Sequence, residues 1–394
     1  MTLIHSSRKT FTTIYILFAA SVLCNADGNE LVRLKQSWRT ARPVFEKLKS
    51  QPRRYRDAVS SRNILGQVRT AGALAKGAKA PGTDTIRVLV LKVQFVPDSD
   101  TNTTGDGTFD YAGNGQPVYT NGDPHQGHNL DHEPPHDSLY IRNQILALRN
   151  YYWAASSGRL WIEYEQWPKG ARSAYDLPHQ MSFYSDFYNQ QQNWGAGIYT
   201  LLRDAAAAAD ADSCAFSYWA GGSKIAKAVM LIHAGSVWQT DPWGADLPAV
   251  FIAMDESSPI IVNAGADTIH EASINAETQS QDGMVLGSQG EIAHEFGHQL
   301  GLPDLYDVEF NSVGLGEWEL MSHGSWNLNA YVPPHLSAWA KEYLGWIDPV
   351  ELKPRDTHFP VAFKWAAKDP GAVVKIPLNS HEYYLVENRR AWSN

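Results

Sequence analysis

Hydrophobic positions along this chain recur with two periods. The run Ile86-Arg87-Val88-Leu89-Val90-Leu91-Lys92-Val93 is almost continuously apolar and β-branched, the pattern of a strand covered on both faces. Ile141, Ile145, Leu148 and Tyr152 recur at helical spacing. They predict a helix capped by Asp137 or Ser138 that runs to about Ser157 and stops at Gly158. Leu160 to Tyr164 reads as a strand, Ile198 to Ala209 as a helix, and Ala228 to His233 and Ala249 to Met254 as buried strands. Another helix begins near Ser288 or Gly290. Pro334 then precedes a helix from His335 to Leu344 that puts Leu336, Trp339, Ala340 and Tyr343 on one face. Ala372 to Ile376 and Tyr383 to Glu387 are the last strand candidates. Strands alternating with helices predict a mixed sheet with helices packed on it.

The helix near Ser288 carries chemistry. It contains His294-Glu295-Phe296-Gly297-His298 and continues Gln299-Leu300-Gly301-Leu302-Pro303-Asp304. Residues four apart share a helix face, so His294 and His298 can offer two imidazoles to one ion. Glu295, beside the first, can hold a proton taken from water. This H-E-x-x-H arrangement suits zinc with a general-base glutamate. Gly301 lets the helix stop and the chain turn. Asp304 can then return as a third ligand, leaving a fourth position for water. Asp307 is the alternative, and could instead cap a turn or bind a structural ion.

Two polar clusters raise further metal readings. Asp98, Asp100, Asn102 and Asp106 have calcium-loop character, but Thr103 stands where the turn glycine belongs and no Glu closes the loop. His125, His128, His132 and His136, interleaved with Asp131, Glu133 and Asp137, could form a second metal site or a solvated polar loop.

Composition narrows the class. The chain has 394 residues, 43% hydrophobic and 19% charged, with room for one large or two medium domains. A formal net charge of -9 suggests no nucleic-acid partner. Arg8 and Lys9 precede an apolar run from Ile14 to Leu23, too short to span a bilayer, and a small residue at Ala26. Residues 1–26 therefore read as a secretory signal peptide; a lipid anchor at Cys24 is disfavoured by the bulky Leu23. No later segment is long and apolar enough to be a transmembrane segment. With the leader removed Cys214 stands alone, reads as a small core residue, and leaves no intramolecular disulfide. Residues 27–80 hold 13 Lys and Arg against 4 Asp and Glu, whereas residues 81–394 hold 18 against 38. The contrast suggests a basic prosegment attracted to an acidic domain, or a basic tail with no inhibitory role. Arg53-Arg54 is a candidate processing point, and Gly72 to Thr85 reads as a linker. The last strand candidate lies close to residue 394 without turn or cap signals, so the domain reads as continuing beyond it.

These residues together resemble the immune inhibitor A family of metallopeptidases, which is akin to the metzincins. The resemblance rests on His294-Glu295-x-x-His298-x-x-Gly301-x-x-Asp304 and its continuation Leu305-Tyr306-Asp307. It also rests on Leu320-Met321-Ser322-His323-Gly324-Ser325-Trp326, on Glu277 to Gly283, on Leu336 to Trp339 and on Leu344-Gly345-Trp346. It covers roughly residues 84–390. It implies an α+β catalytic domain in two subdomains: a twisted mixed sheet, backing helix and metal-binding helix above, and a methionine turn at Met321 below. It further implies extracellular proteolysis and activation from a latent precursor. Where several metzincins place a tyrosine two residues after the turn methionine, this chain has His323.

The expectation is a secreted zinc endopeptidase acting on protein or peptide substrates, with Glu295 as general base. Two alternatives stay open: a non-catalytic secreted module that holds zinc for stability, and an enzyme kept latent by residues 27–80.

Overall fold

Six consecutive buried positions, Val88 to Val93, mark the strand at the middle of the main sheet. A computed structural model describes residues 2–6, 11–12, 84–112, 134–186, 195–212, 215–216, 226–240, 244–254, 258–280, 287–307, 312–352, 373–379 and 382–387. The first elements are β1 (Thr2–Ser6), β2 (Phe11–Thr12), β3 (Asp84–Gln94), α1 (Ser138–Ala155), β4 (Leu160–Trp167) and β5 (Tyr175–Asp176). Next come α2 (Met181–Tyr184), α3 (Ala196–Ala211), β6 (Ala226–His233), β7 (Val250–Ala253), β8 (Ile260–Val262), β9 (Asp267–Ile269) and β10 (Glu271–Ala276). Then follow α4 (Gln289–Gln299), α5 (Ala338–Tyr343), β11 (Val350–Glu351), β12 (Val373–Pro377) and β13 (Tyr383–Glu387).

The main sheet has the order β4-β3-β6-β10-β7, with β5 paired to β3. Its first four strands run parallel, and β7 closes one edge antiparallel to β10, with Phe251 opposite Ser273. A parallel sheet needs helices on its faces. Helix α1 supplies one. The Asp137 side chain accepts from the Leu139 and Tyr140 amides at its start. After its end Gly158 takes a positive φ of +77°, which glycine adopts without strain. All four periodic positions, Ile141, Ile145, Leu148 and Tyr152, are buried. Tyr152 reaches furthest: its ring lies edge-on to Phe296 and Trp346, and its hydroxyl donates to the Ala293 carbonyl at 2.6 Å. Helix α1 thereby holds α4 by apolar contact and by one buried hydrogen bond.

Two readings from the sequence need adjustment. The helix expected from His335 begins only at Ala338, because the Ser337 hydroxyl accepts from the Ala340 amide and caps it there. Strand β10 was not anticipated. Its residues are mostly small or polar, with Ile274 the one large apolar side chain. It is a strand because β6 and β7 pair with its backbone on both sides.

A second sheet has the order β11-β12-β13-β1-β2. Here Thr2 to Ser6 pair antiparallel with Glu387 to Tyr383. Both β1 and β2 fall in the stretch read as a leader; the remainder of residues 1–83, with the prosegment and Cys24, lies outside the described residues, as does Cys214. No helix among the described residues is long and apolar enough to cross a membrane.

Candidate metal centre

Helix α4 is buried on nearly every side, from Gly290 through Gly297. Its seat is tight. A Cβ on Gly290 would strike the Ser325 carbonyl oxygen, and a Cβ on Gly297 would strike the Met321 sulfur. At its far end Gln299, fully buried, donates to the Val229 carbonyl of β6 at 2.8 Å. Helix and sheet are thus bolted together one residue after His298.

The helix then stops in a defined way. Gly301 has φ +89°. Its amide donates to the His298 carbonyl at 2.8 Å, and the Leu302 amide to the Gly297 carbonyl at 3.1 Å. This paired closure is the Schellman arrangement, which glycine's left-handed conformation permits. The same turn orients a side chain, since His298 Nδ1 donates to the Leu302 carbonyl at 2.8 Å. His294 Nδ1 donates to the Leu320 carbonyl at 2.9 Å. A carbonyl can only accept, so both Nδ1 atoms carry hydrogen and both Nε2 atoms are the ones left for a ligand.

Those two Nε2 atoms face Asp304. Its Oδ1 lies 3.2 Å from His294 Nε2 and 3.3 Å from His298 Nε2. The three atoms lie within 4.8 Å of one another, and this is the one such group of three His, Cys, Asp or Glu ligand atoms among the described residues. Asp307 is not in it. Glu295 is buried beside the group, and the Phe251 amide of edge strand β7 hydrogen-bonds to its carboxylate.

Electrostatics test whether these residues suit a cation. Asp304 Oδ1 is buried and makes no hydrogen bond of good geometry to either ring, although both are near. Two imidazole lone pairs and a carboxylate oxygen converging on one point repel unless a cation or protons lie between them. Protons do this without metal. Burial alone would lower His294, but the close approach of Asp304, the charges of Glu295 and Asp304, and the Leu320 carbonyl push it up to about 9. His298 is raised against burial by Asp304 in the same way. Asp304, despite burial, is held well below the carboxylate range by the two histidines. Burial raises Glu295, the histidines and the Phe251 amide opposing it. Two nitrogens, on rings held by the Leu320 and Leu302 carbonyls, and one carboxylate oxygen form a donor set that zinc accepts.

Met321 is fully buried and packs its sulfur against Gly297. Its carbonyl accepts from the Leu305 amide at 2.6 Å, next to Asp304. Tyr306 lies between two imidazoles, stacked at 6.4 Å from His294 and 6.2 Å from His323. His323 therefore meets the centre through Tyr306. Sequence reasoning missed the carbonyls of Leu302 and Leu320 and the amide of Phe251. These are backbone groups, and only the fold says which carbonyl faces which ring.

The remaining candidates fall elsewhere. Glu277, from the stretch that shares in the resemblance, is buried among other partners. It accepts from His136 Nδ1 at 2.7 Å, the Gly235 amide at 2.7 Å and the Asp110 amide at 3.0 Å, tying β10, β6 and the start of α1 together. His136 is buried there, while His125, His128 and His132 lie outside the described residues, as does Asp282. In the acidic loop, Asp98 Oδ1 accepts from the Asp100 amide, Asp100 Oδ1 from Asn102, and Asp106 Oδ1 from Thr108. Those oxygens are taken up by local turns, and the loop does not gather three carboxylate ligands.

Residues 262–346, which hold His294, Glu295, His298, Asp304 and Met321 but not Phe251, match the sequence profile of the immune inhibitor A peptidase M6, catalytic domain. This segment is similar to the immune inhibitor A family. The chain is also similar to the pre-pro-metalloprotease PrtV of Vibrio cholerae serotype O1 (strain M66-2), at 44% identity over 59 residues, which is 14% of this chain and 6% of that protein. It is similar to immune inhibitor A of Bacillus thuringiensis subsp. alesti at 39% identity over 61 residues, 14% of this chain and 9% of that protein. The alignments thus span less than a tenth of either relative. The immune inhibitor A family match includes α4, the loop to Asp304, the Met321 turn and α5.

Proposed function

We propose that this chain is a secreted zinc-dependent endopeptidase acting on proteins or peptides, with His294, His298 and Asp304 as metal ligands and Glu295 as general base and acid. One observation carries the reading: His294 Nε2, His298 Nε2 and Asp304 Oδ1 converge within 4.8 Å beside a buried glutamate. The family match and the metalloprotease name of the Vibrio relative support it.

Zinc in such a site supplies Lewis-acid polarisation of a carbonyl and a lowered pKa for water. The chain supplies the rest. Glu295 takes a proton from the attacking water and returns it to the leaving amine. Burial, the largest influence on it, raises its pKa and makes it a stronger base than an exposed glutamate. The Phe251 amide holds that carboxylate in place, and the Leu302 and Leu320 carbonyls hold the rings. Met321 forms the floor beneath α4, as the methionine turn of the family's relatives implies. Secretion rests on the leader-like residues 1–26 and on the pre-pro description of the Vibrio relative. A basic segment at 27–80 that covers an acidic domain gives a latent form of the same enzyme.

Zinc analysis and a casein-hydrolysis assay, run before and after removal of residues 27–80, separate the readings. We expect stoichiometric zinc and hydrolysis that a chelator abolishes and added zinc restores. Hydrolysis only after removal identifies the latent form. Zinc without hydrolysis in either form identifies a binding module and sinks the proposal.

A further inference from the structure

We propose that Glu319 is a positioning residue for the metal centre, acting on His294 and Asp304 through the backbone of the Met321 turn. The inference rests on the zinc reading above. Glu319 is fully buried. Its Oε1 accepts from the Met321 amide at 3.2 Å, and its Oε2 accepts from the Ser337 amide at the start of α5. Both oxygens accept from N–H groups, the bonding pattern of an ionised carboxylate.

The peptide that Glu319 grips is the one that grips His294. The Met321 amide and the Leu320 carbonyl belong to a single planar peptide unit. Glu319 accepts from its N–H, and its C=O accepts from His294 Nδ1 at 2.9 Å. A carboxylate on the N–H polarises the unit and strengthens its carbonyl as an acceptor, because hydrogen bonds in series reinforce one another. This is a carboxylate–histidine–metal relay with a peptide inserted in it. The next peptide serves the third ligand: the Met321 carbonyl accepts from the Leu305 amide at 2.6 Å, beside Asp304. The backbone carbonyl of Glu319 also accepts from the Ser322 and Gly324 amides, each at 3.1 Å, which closes the turn. One buried side chain and its own carbonyl therefore fix the turn that orients two of the three ligands.

The test compares Glu319→Gln with Ser337→Ala in the full chain. Gln has one acceptor oxygen where two amides need one each. Ser337→Ala disturbs the neighbouring helix cap but leaves the Ser337 amide on Glu319. Zinc affinity is read by chelator competition, and ligand geometry by the visible spectrum of the cobalt-substituted protein. Glu319→Gln is expected to weaken zinc by about 10–100-fold and to shift the cobalt spectrum, as loss of an outer-shell partner does. Ser337→Ala should leave both near wild type while lowering thermal stability. If Glu319→Gln does not fold, Glu319→Asp replaces it under the same criteria, since it keeps the charge but is too short to span both amides. A folded variant with wild-type zinc affinity and cobalt spectrum overturns the inference. If the wild-type chain takes no zinc, the metal reading itself fails and this inference falls with it.

Discussion

His233 shows how one buried ring sets a pH limit. It lies near Phe95, fully buried, with Nδ1 donating to the Ala234 carbonyl at 2.8 Å. Burial pulls its pKa from 6.5 down to about 4. Between these values the unfolded chain binds the proton and the folded chain does not. Stability therefore falls as pH drops from 6.5 toward 4, by about 3 kcal/mol in total, and the contribution of His233 is constant above 6.5. Urea titrations at pH 7 and pH 5 should show the loss in wild type and a smaller loss in His233→Leu. At the metal centre the sign differs. The metal-free cluster holds His294 protonated up to about pH 9, so zinc must displace a proton, and its affinity should rise with pH through that range. Asp304→Asn should weaken zinc by more than about tenfold, whereas Asp307→Asn should not, with chelator competition as the readout. Sequence spacing left these two aspartates as alternatives because both follow the Gly301 turn. The fold gathers only Asp304 with the histidines, through the bond from Leu305 to Met321 in a turn some sixteen residues further along.

At the scale of elements, the fit of α4 is limited by its glycines. A Cβ at Gly290 meets the backbone oxygen of Ser325, while one at Gly297 meets the movable end of Met321. Gly290→Ala should therefore destabilise by about 1–3 kcal/mol and Gly297→Ala by less, as seen in thermal melts. If the order reverses, the seat of the helix is wrongly described. Periodicity found the elements with strong patterns: the apolar strand β3, the amphipathic α1 and the buried strands β6 and β7. It missed β10, whose small residues carry little hydrophobic signal and whose place depends on neighbours distant in sequence. It overran at α5, where a Ser cap outweighed the apolar spacing. Helix α4 was visible by its motif, because a helix buried all round has no polar stripe to give a period.

Across the whole molecule, the centre is assembled from three separate stretches, one of which includes both α4 and the loop after it. Edge strand β7 supplies the Phe251 amide, α4 the two rings and Glu295, the loop after Gly301 supplies Asp304, and the turn at 319–321 supplies the Leu320 carbonyl. The motif named the side chains within one stretch of eleven residues. The groups that orient them come from parts of the chain that only the sheet order and the turn bring near. The central claim is that Glu295 moves the proton at a zinc centre it does not itself bind. The most direct measurement is zinc content and casein hydrolysis on one preparation of Glu295→Gln beside wild type. Equal zinc is expected, with turnover reduced by about 10²–10⁴-fold. Hydrolysis at the wild-type rate, with zinc in place, would contradict the claim.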